Sequence, residues 1–285
     1  MTHPEPCMLC NGTAFRTVHR RDPLCYLRCR SCGLVSLYPR PEEAELEKMY
    51  QDYLPVARES IRKWEREGKE VALRAAETLS LRFEARTGRL LEVGCGLGFF
   101  LGMMKTRGWE VEGVEISETG REYAQRTWKV PVHRGPLDEL NLPKESFDAA
   151  VLFYVIEHVP DPVGLLTEIA RILKPGGLVL LRWPHTTPIV RILGPVSRYV
   201  DLYHTPYHLY DFSPATMKAL LTRCGFEGVQ TIIGGRTRPR SLAGLSASMV
   251  FGSAAEVLHK ASGGRLLLPG VSKTTMARRK RKPDA

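Results

Sequence analysis

The chain has 285 residues, enough for one large domain and a small appendage. Its apolar and charged fractions, 43% and 25%, are those of ordinary globular proteins and exclude a disordered or membrane-embedded class. The formal charge of +10 is weak evidence for a nucleic-acid partner, because the run Arg278-Arg279-Lys280-Arg281-Lys282 supplies five of those charges by itself and reads as a basic C-terminal tail.

No apolar leader follows Met1 and no run of about twenty apolar residues occurs, so the expected location is the cytoplasm. Seven cysteines, four of them in two C-x-x-C pairs, suit metal binding under reducing conditions better than disulfides. Cys7-Met8-Leu9-Cys10 and Cys29-Arg30-Ser31-Cys32 stand eighteen residues apart, each followed closely by glycine, at the spacing of a four-cysteine zinc ribbon. Four thiolates leave no open position on the metal, so Zn2+ here would be structural. Phe15, Val18, Leu24, Tyr26 and Leu27 supply short strands between the pairs, and Cys25, Cys95 and Cys224 are left as packing residues.

Beyond Pro39-Arg40-Pro41 a helix is expected from Glu42 to about Tyr50. A longer amphipathic one runs from about Val56 to Ala85, with Ile61, Trp64, Val71, Ala75, Leu79 and Phe83 on one face. Arg89–Val93 then reads as a strand running into Gly94-Cys95-Gly96-Leu97-Gly98 and a helix start. A strand, glycine turn and helix together make a site for a nucleotide-like or anionic group. The spacing is not G-x-G-x-x-G, because Phe99 stands where the third glycine belongs. Glu92 precedes the turn, and the next strand, Glu110–Glu115, ends on a carboxylate at the distance of a ribose ligand.

On these motifs positions 89–235 resemble a class I S-adenosylmethionine (SAM)-dependent methyltransferase of the small-molecule type. The resemblance implies that Gly94, Gly96 and Gly98, with Cys95 between them, wrap the methionine moiety. It further implies that Glu115, followed by Ile116, holds the ribose hydroxyls and that Glu92 sits near the cofactor's amino group. A nicotinamide or flavin domain with an atypical loop is the alternative. The implied fold is α/β, a Rossmann-like seven-stranded sheet with helices on both faces, preceded by a small zinc ribbon. The implied partition is 1–40 ribbon, 41–86 helical linker or lid, and 87–285 methyltransferase domain with the basic tail. The Cys-x-x-Cys pairs, Pro-x-Pro and Tyr50-x-x-Tyr53 resemble the front end of bacterial methyltransferases acting on sugars, polysaccharide precursors and natural products. There the segment often forms a lid; packing is the favoured role for the two tyrosines.

After a short strand at Val130–His133, Leu137 and Asp138 fall where the family packs and hydrogen-bonds adenine, although its usual acidic residue is replaced by Pro136. Phe147–Phe153 is a continuous apolar strand, as a central buried one should be. It leads into Tyr154-Val155-Ile156-Glu157-His158-Val159-Pro160-Asp161-Pro162, close to the family's LEH-x-x-DP element. Phe153 is implied to touch the cofactor, and His158 either fixes its loop through backbone or acts as a base. A helix at Gly164–Leu173 is closed by Lys174-Pro175-Gly176-Gly177, and Leu178–Trp183 is the next strand. His185 follows, facing substrate or solvent. The stretch 186–209 is expected to be irregular and to carry the substrate loop, with Tyr203, His204, Tyr207 and His208 clustered in it. His208-Leu209-x-x-Phe212-Ser213 matches the entry to a helix capped by Ser213 or Asp211. A strand at Phe226–Ile233, a helix from Leu242 to His259 and a last strand near Val271–Ala277 complete the chain, and the 242–259 helix with its neighbouring arginines is also compatible with resting on a membrane surface.

The function this implies is methyl transfer to a small-molecule acceptor, with His208 and then His158 as candidate bases. The alternatives are an rRNA or tRNA methyltransferase and a SAM-binding scaffold without turnover. The acceptor atom and the oligomeric state are not encoded in any motif.

Overall fold

The computed structural model describes residues 4–51, 53–199, 201–233, 257–258, 261–262, 267 and 272–281. The expected helix over 242–259 lies outside these residues except at 257–258.

The chain begins with an antiparallel meander, β1 (Phe15–Arg21), β2 (Leu24–Cys29) and β3 (Val35–Tyr38). Two helices follow, α1 (Glu43–Gln51) and α2 (Arg58–Arg82). The buried positions of α2, Ile61, Val71, Ala75, Ala76 and Leu79, fall at helical spacing among charges, so one stripe packs and the rest is solvated.

The large sheet is laid down next: β4 (Arg89–Val93), α3 (Phe99–Thr106), β5 (Glu110–Val114), α4 (Glu118–Trp128), β6 (Val132–His133), β7 (Phe147–Phe153), α5 (Pro162–Ile172) and β8 (Leu173–Trp183). Then come α6 (Thr187–Leu193), β9 (Tyr210–Asp211), α7 (Pro214–Arg223), β10 (Phe226–Ile232) and β11 (Lys273–Arg279). The seven strands lie in the order β6-β5-β4-β7-β8-β11-β10, parallel except for β11, which runs antiparallel to both neighbours. Both faces are covered, and the strand sequences show why. Leu91, Ala150, Leu152, Val179 and Leu181 join one apolar cluster with α5 and α7. Their neighbours Leu90, Ala149, Val151, Leu178 and Leu180 join a second with α2 and α3. Runs apolar at every position therefore bury alternate residues on opposite faces. The order reverses beside β4: the chain goes outward through β5 and β6, then returns to β7 on the other side. That reversal opens a crevice at the carboxyl ends of β4 and β7.

Four features differ from the sequence reading. The stretch 186–209 is not wholly irregular, because α6 and a 3-10 turn at Gly194–Tyr199 form within it. The backbone N–H groups of Thr186 and Thr187 donate to the buried Asp211 carboxylate at 2.7 and 2.8 Å, so a residue two dozen positions away satisfies the helix's first donors. Asp211 is thereby taken from α7, which Ser213 caps through a reciprocal pair with Thr216. The basic run is not a free tail at its start, for Arg278 and Arg279 belong to β11, with Arg278 donating to Gly176 O and Arg279 pairing with Glu145. Finally, β9 pairs with β3, so the N-terminal meander becomes a four-stranded sheet β1-β2-β3-β9. Leu34, Leu37 and Tyr26 of that sheet share the apolar cluster of β4 and β7.

Candidate functional site

The bend after β4 is tied down by its own backbone: Gly94 and Cys95 both donate to Val114 O on β5, at 2.8 and 3.1 Å. Gly94 has φ of +69°, and a Cβ there would come within 2.5 Å of Val155 Cγ2, so no other residue is accommodated. At Gly96, with φ of +53°, a Cβ would meet only Leu54 Cδ2, at 3.7 Å, and the residue lines the crevice. Gly98 plays a different part. It is the N-cap of α3, packed against Ala124 and Trp128, and it does not line the cleft.

Two buried carboxylates flank this bend. Glu115 is 8% exposed and accepts from Gly96 N at 2.7 Å and Ser117 N at 2.8 Å, so its position is fixed by main chain. Burial raises its pKa, and the N–H groups of Ser117 and Gly96 oppose that. Glu92 is more extreme. Its Oε2 is buried with no hydrogen-bond partner, and burial, then the charge of Glu115, pushes its pKa well above the carboxylate range. An unpartnered carboxyl oxygen at the wall of a cleft is costly unless a cation or donor completes it.

The cleft itself has a volume of about 1910 Å³. Glu92, Gly94, Cys95, Gly96, Glu115, Ile116, Leu137, Asp138 and Phe153 all line it, so nine of the ten residues assigned to the cofactor from sequence share one wall, Gly98 being the exception. Phe153 is held edge-on to Phe100 of α3 at 5.0 Å. The Cys95 thiol turns away from this wall toward Gly113. Leu54, which lies against Gly96, and the α2 residues Trp64, Gly68 and Ala72 also line the cleft. The cradle of bare backbone, the two carboxylates and an apolar wall fit a nucleoside carrying an ammonium and a sulfonium charge.

At the other end of the cleft stand His158, His204 and His208 with Tyr50 and Tyr53. The two tyrosines thus line the cleft, and they also pack, Tyr50 against the apolar cluster and Tyr53 edge-on to Trp64. Tyr50 Oη lies 2.7 Å from His158 Nδ1, and that nitrogen lies 2.9 Å from Tyr207 O. A carbonyl only accepts, so Nδ1 carries the proton and Nε2 keeps its lone pair. The ring is therefore fixed by backbone and also lines the cleft. The His158 and His208 rings meet at 4.7 Å, nearly perpendicular. Burial, with His204 adding to it, takes the His158 pKa down to about 4. Burial, His158 and His204 take that of His208 well below its ordinary value. Both shifts favour the neutral imidazole.

Behind them lies Glu157, which the sequence reading quoted in its motif but gave no role. It is fully buried, neither oxygen has a hydrogen-bond partner among the described residues, and burial with the charge of Asp211 lifts its pKa to about 8. Its main-chain carbonyl accepts from Leu209 N and Tyr210 N at 2.8 and 3.2 Å, which anchors the His208 segment. His185 does not line the cleft; its ring lies 6.0 Å from that of Trp183.

The four cysteine sulfurs at the N-terminus lie within 4.8 Å of one another, with Cys7 to Cys32 at 3.5 Å and Cys10 to Cys29 at 3.6 Å. Tetrahedral zinc with Zn–S bonds of about 2.3 Å places sulfurs about 3.8 Å apart, so this cluster has the size of such a site. Gly12 packs against it, where a Cβ would come 3.3 Å from the sulfurs of both Cys10 and Cys29. The sheet that grows from the cluster reaches the imidazole wall directly: Leu37 N donates to Leu209 O at 2.9 Å and Tyr26 Oη to His208 O at 2.8 Å.

The chain is similar to known methyltransferases in sequence and in fold. A protein of Mycolicibacterium smegmatis named "Probable S-adenosylmethionine-dependent methyltransferase" is 32% identical over 144 residues, 50% of this chain and 53% of that one. The chain thus spans about half the length of that relative. The ubiquinone biosynthesis O-methyltransferase of Xanthomonas axonopodis pv. citri is 29% identical over 179 residues, covering 58% of this chain and 75% of the relative. Among solved structures, a SAM-dependent methyltransferase of Archaeoglobus fulgidus superposes with a TM-score of 0.52 at 21% identity, covering 77% of this chain and 99% of that one, and so shares the fold. The model of the methyltransferase domain family matches residues 63–231, from within α2 into β10, and the chain belongs to that family.

Proposed function

We propose that this protein is a SAM-dependent methyltransferase whose acceptor is a small hydroxylated molecule, in the class of sugars, polysaccharide precursors or natural-product intermediates. The observation that carries the reading is the unpartnered, buried Oε2 of Glu92 on the same wall as the bare Gly96 backbone and the main-chain-fixed Glu115. Glu92 takes the cofactor's ammonium group, Glu115 its ribose hydroxyls, and Leu137 and Asp138 the adenine. When bound, the cofactor supplies a methyl group on a sulfonium, which is displaced in line by a nucleophile. The chain's own work is alignment and exclusion of water. Phe153 and Phe100 give the cleft apolar lining, Leu54 and α2 residues add to it, and the His158 and His208 rings line the end where the acceptor would sit. The likeness to a ubiquinone biosynthesis O-methyltransferase supports an oxygen acceptor on a small molecule.

The four cysteines are proposed to hold structural zinc, which secures the sheet that backs the His208 segment. Of the basic run on which the RNA alternative draws, Arg278 and Arg279 are engaged within the fold. Calorimetric titration with SAM and with its demethylated product, followed by a labelled-methyl screen over hydroxylated metabolites and RNA, tests the proposal. Uptake of both nucleosides and label in the small-molecule fraction is the expected result. Label in RNA, or binding without any turnover, favours one of the alternatives.

A further inference from the structure

The imidazole end of the cleft holds a combination of groups that methyl transfer alone does not require. Glu157 is a fully buried carboxyl with no hydrogen-bond donor on either oxygen among the described residues. One ligand atom each from Glu157, His158 and His208 lie within 4.8 Å of one another, and His158 Nε2 stands 3.8 Å from Glu157 Oε1. The opposite nitrogen of His158, Nδ1, is committed to Tyr207 O, an arrangement that fixes the tautomer and turns the Nε2 lone pair toward the carboxylate. Tyr50 Oη supports the same nitrogen from the lid side. The segments bearing Glu157 and His208 are stitched together by Leu209 N and Tyr210 N on Glu157 O, so the three side chains are held by main-chain bonds and not by a mobile loop.

We propose that Glu157, His158 and His208 form a binding site for a divalent first-row transition-metal cation, separate from the four-cysteine cluster, and that its open coordination positions take the acceptor's oxygens. Two imidazoles and one carboxylate on one side of an ion leave the remaining positions free. His158 and His208 both line the cleft, so an ion they share is reached from it. A nitrogen-rich set suits Mn2+, Fe2+, Co2+ or Zn2+, whereas Mg2+ and Ca2+ favour oxygen ligands. The inference rests on the methyltransferase reading for its use and deepens it, by naming the acceptor class: molecules with two neighbouring oxygens, such as a catechol, a vicinal diol or an α-hydroxy ketone, able to chelate. Ligation lowers the pKa of the acceptor hydroxyl. Its proton passes to water, the oxygen attacks the methyl carbon, the new O–C bond forms as the C–S bond breaks, and the sulfonium leaves as a neutral thioether.

The test uses the full-length chain with zinc already supplied to its cysteines and Mn2+ as the probe, followed by the loss of free-ion electron paramagnetic resonance signal. Thiolates discriminate against Mn2+, so the two sites are read separately. One equivalent of Mn2+ per chain is expected, with affinity at least 10-fold weaker in Glu157→Gln and in His208→Ala. SAM affinity, measured on the same samples, reports whether each variant is folded and whether the methyltransferase reading stands. Wild-type protein that takes up SAM but no Mn2+ overturns the metal site and leaves the function in place. Mn2+ bound equally by wild type and by folded Glu157→Gln also overturns it. Failure of the wild type to bind SAM counts against the function and not against this site.

Discussion

At the glycine end of the cleft, the bend and its two carboxylates come from two adjacent strands and their turns. Gly94, Gly96, Glu92 and Glu115 lie within a short stretch of chain and are fixed by main-chain bonds between β4, β5 and the bend. At the imidazole end, Tyr50, Glu157, His158 and His208 come from three distant segments, and a strand pairing between β3 and β9 holds them in register. The first end is prescribed locally and needs only the large sheet. The second exists only if the cysteine-bearing meander is folded against it. Cofactor uptake and acceptor chemistry should therefore respond separately to damage.

The widest separation is expected from the cysteines. Stripping metal with a chelator, or replacing Cys29 by Ser, removes the anchor of the β1-β2-β3-β9 sheet, whose metal contributes on the order of 10 kcal/mol in small zinc modules. Methyl transfer should fall by about 100-fold or more, since even small misplacement of reacting groups is costly. Cofactor affinity, measured by calorimetry, should stay within a few-fold. Equal loss of both would break the comparison.

The converse variant is Gly94→Ala. A non-glycine residue at φ of +69° costs about 1–2 kcal/mol, and its Cβ displaces Val155. Cofactor affinity should drop by about 10-fold or more, while the optical signature of Co2+ at the cysteine cluster stays unchanged.

Glu92 sharpens the contrast through pH. Its pKa is raised by burial and by Glu115, so the cofactor-free protein holds a proton there to higher pH than an ordinary carboxyl does. A bound ammonium group favours the carboxylate, so binding expels that proton and affinity rises with pH, by up to about tenfold per unit, until Glu92 ionises in the free protein. Titrations in buffers of different ionisation enthalpy count the released proton. Glu92→Gln should abolish both the release and the slope.

The smallest effect is expected at Ser213. Replacing this cap by Ala should cost about 1 kcal/mol in a denaturant titration and leave cofactor affinity alone.

The same contrast explains what could be read from sequence. The strand–glycine–helix unit, the terminal Glu115, the apolar β7 and the C-x-x-C pairs are set by neighbours within a few residues, and each appears where its pattern puts it. The α6 helix was invisible because its cap is Asp211, and β9 because two residues pair with a strand over 170 positions earlier. Glu157 stood in a recognised motif, but its isolation from every donor is a property of the packed interior. Gly98 fitted the glycine pattern yet serves α3 packing, since alternation alone does not tell a ligand-facing glycine from a helix-facing one.

Calorimetric binding of SAM to wild type and to Glu115→Ala puts the central claim to its most direct test. Loss of a buried carboxylate that accepts two sugar hydroxyls should weaken binding by about 10- to 100-fold, with stoichiometry of one in the wild type. Undiminished affinity in the variant, or no uptake by the wild type, would contradict the account.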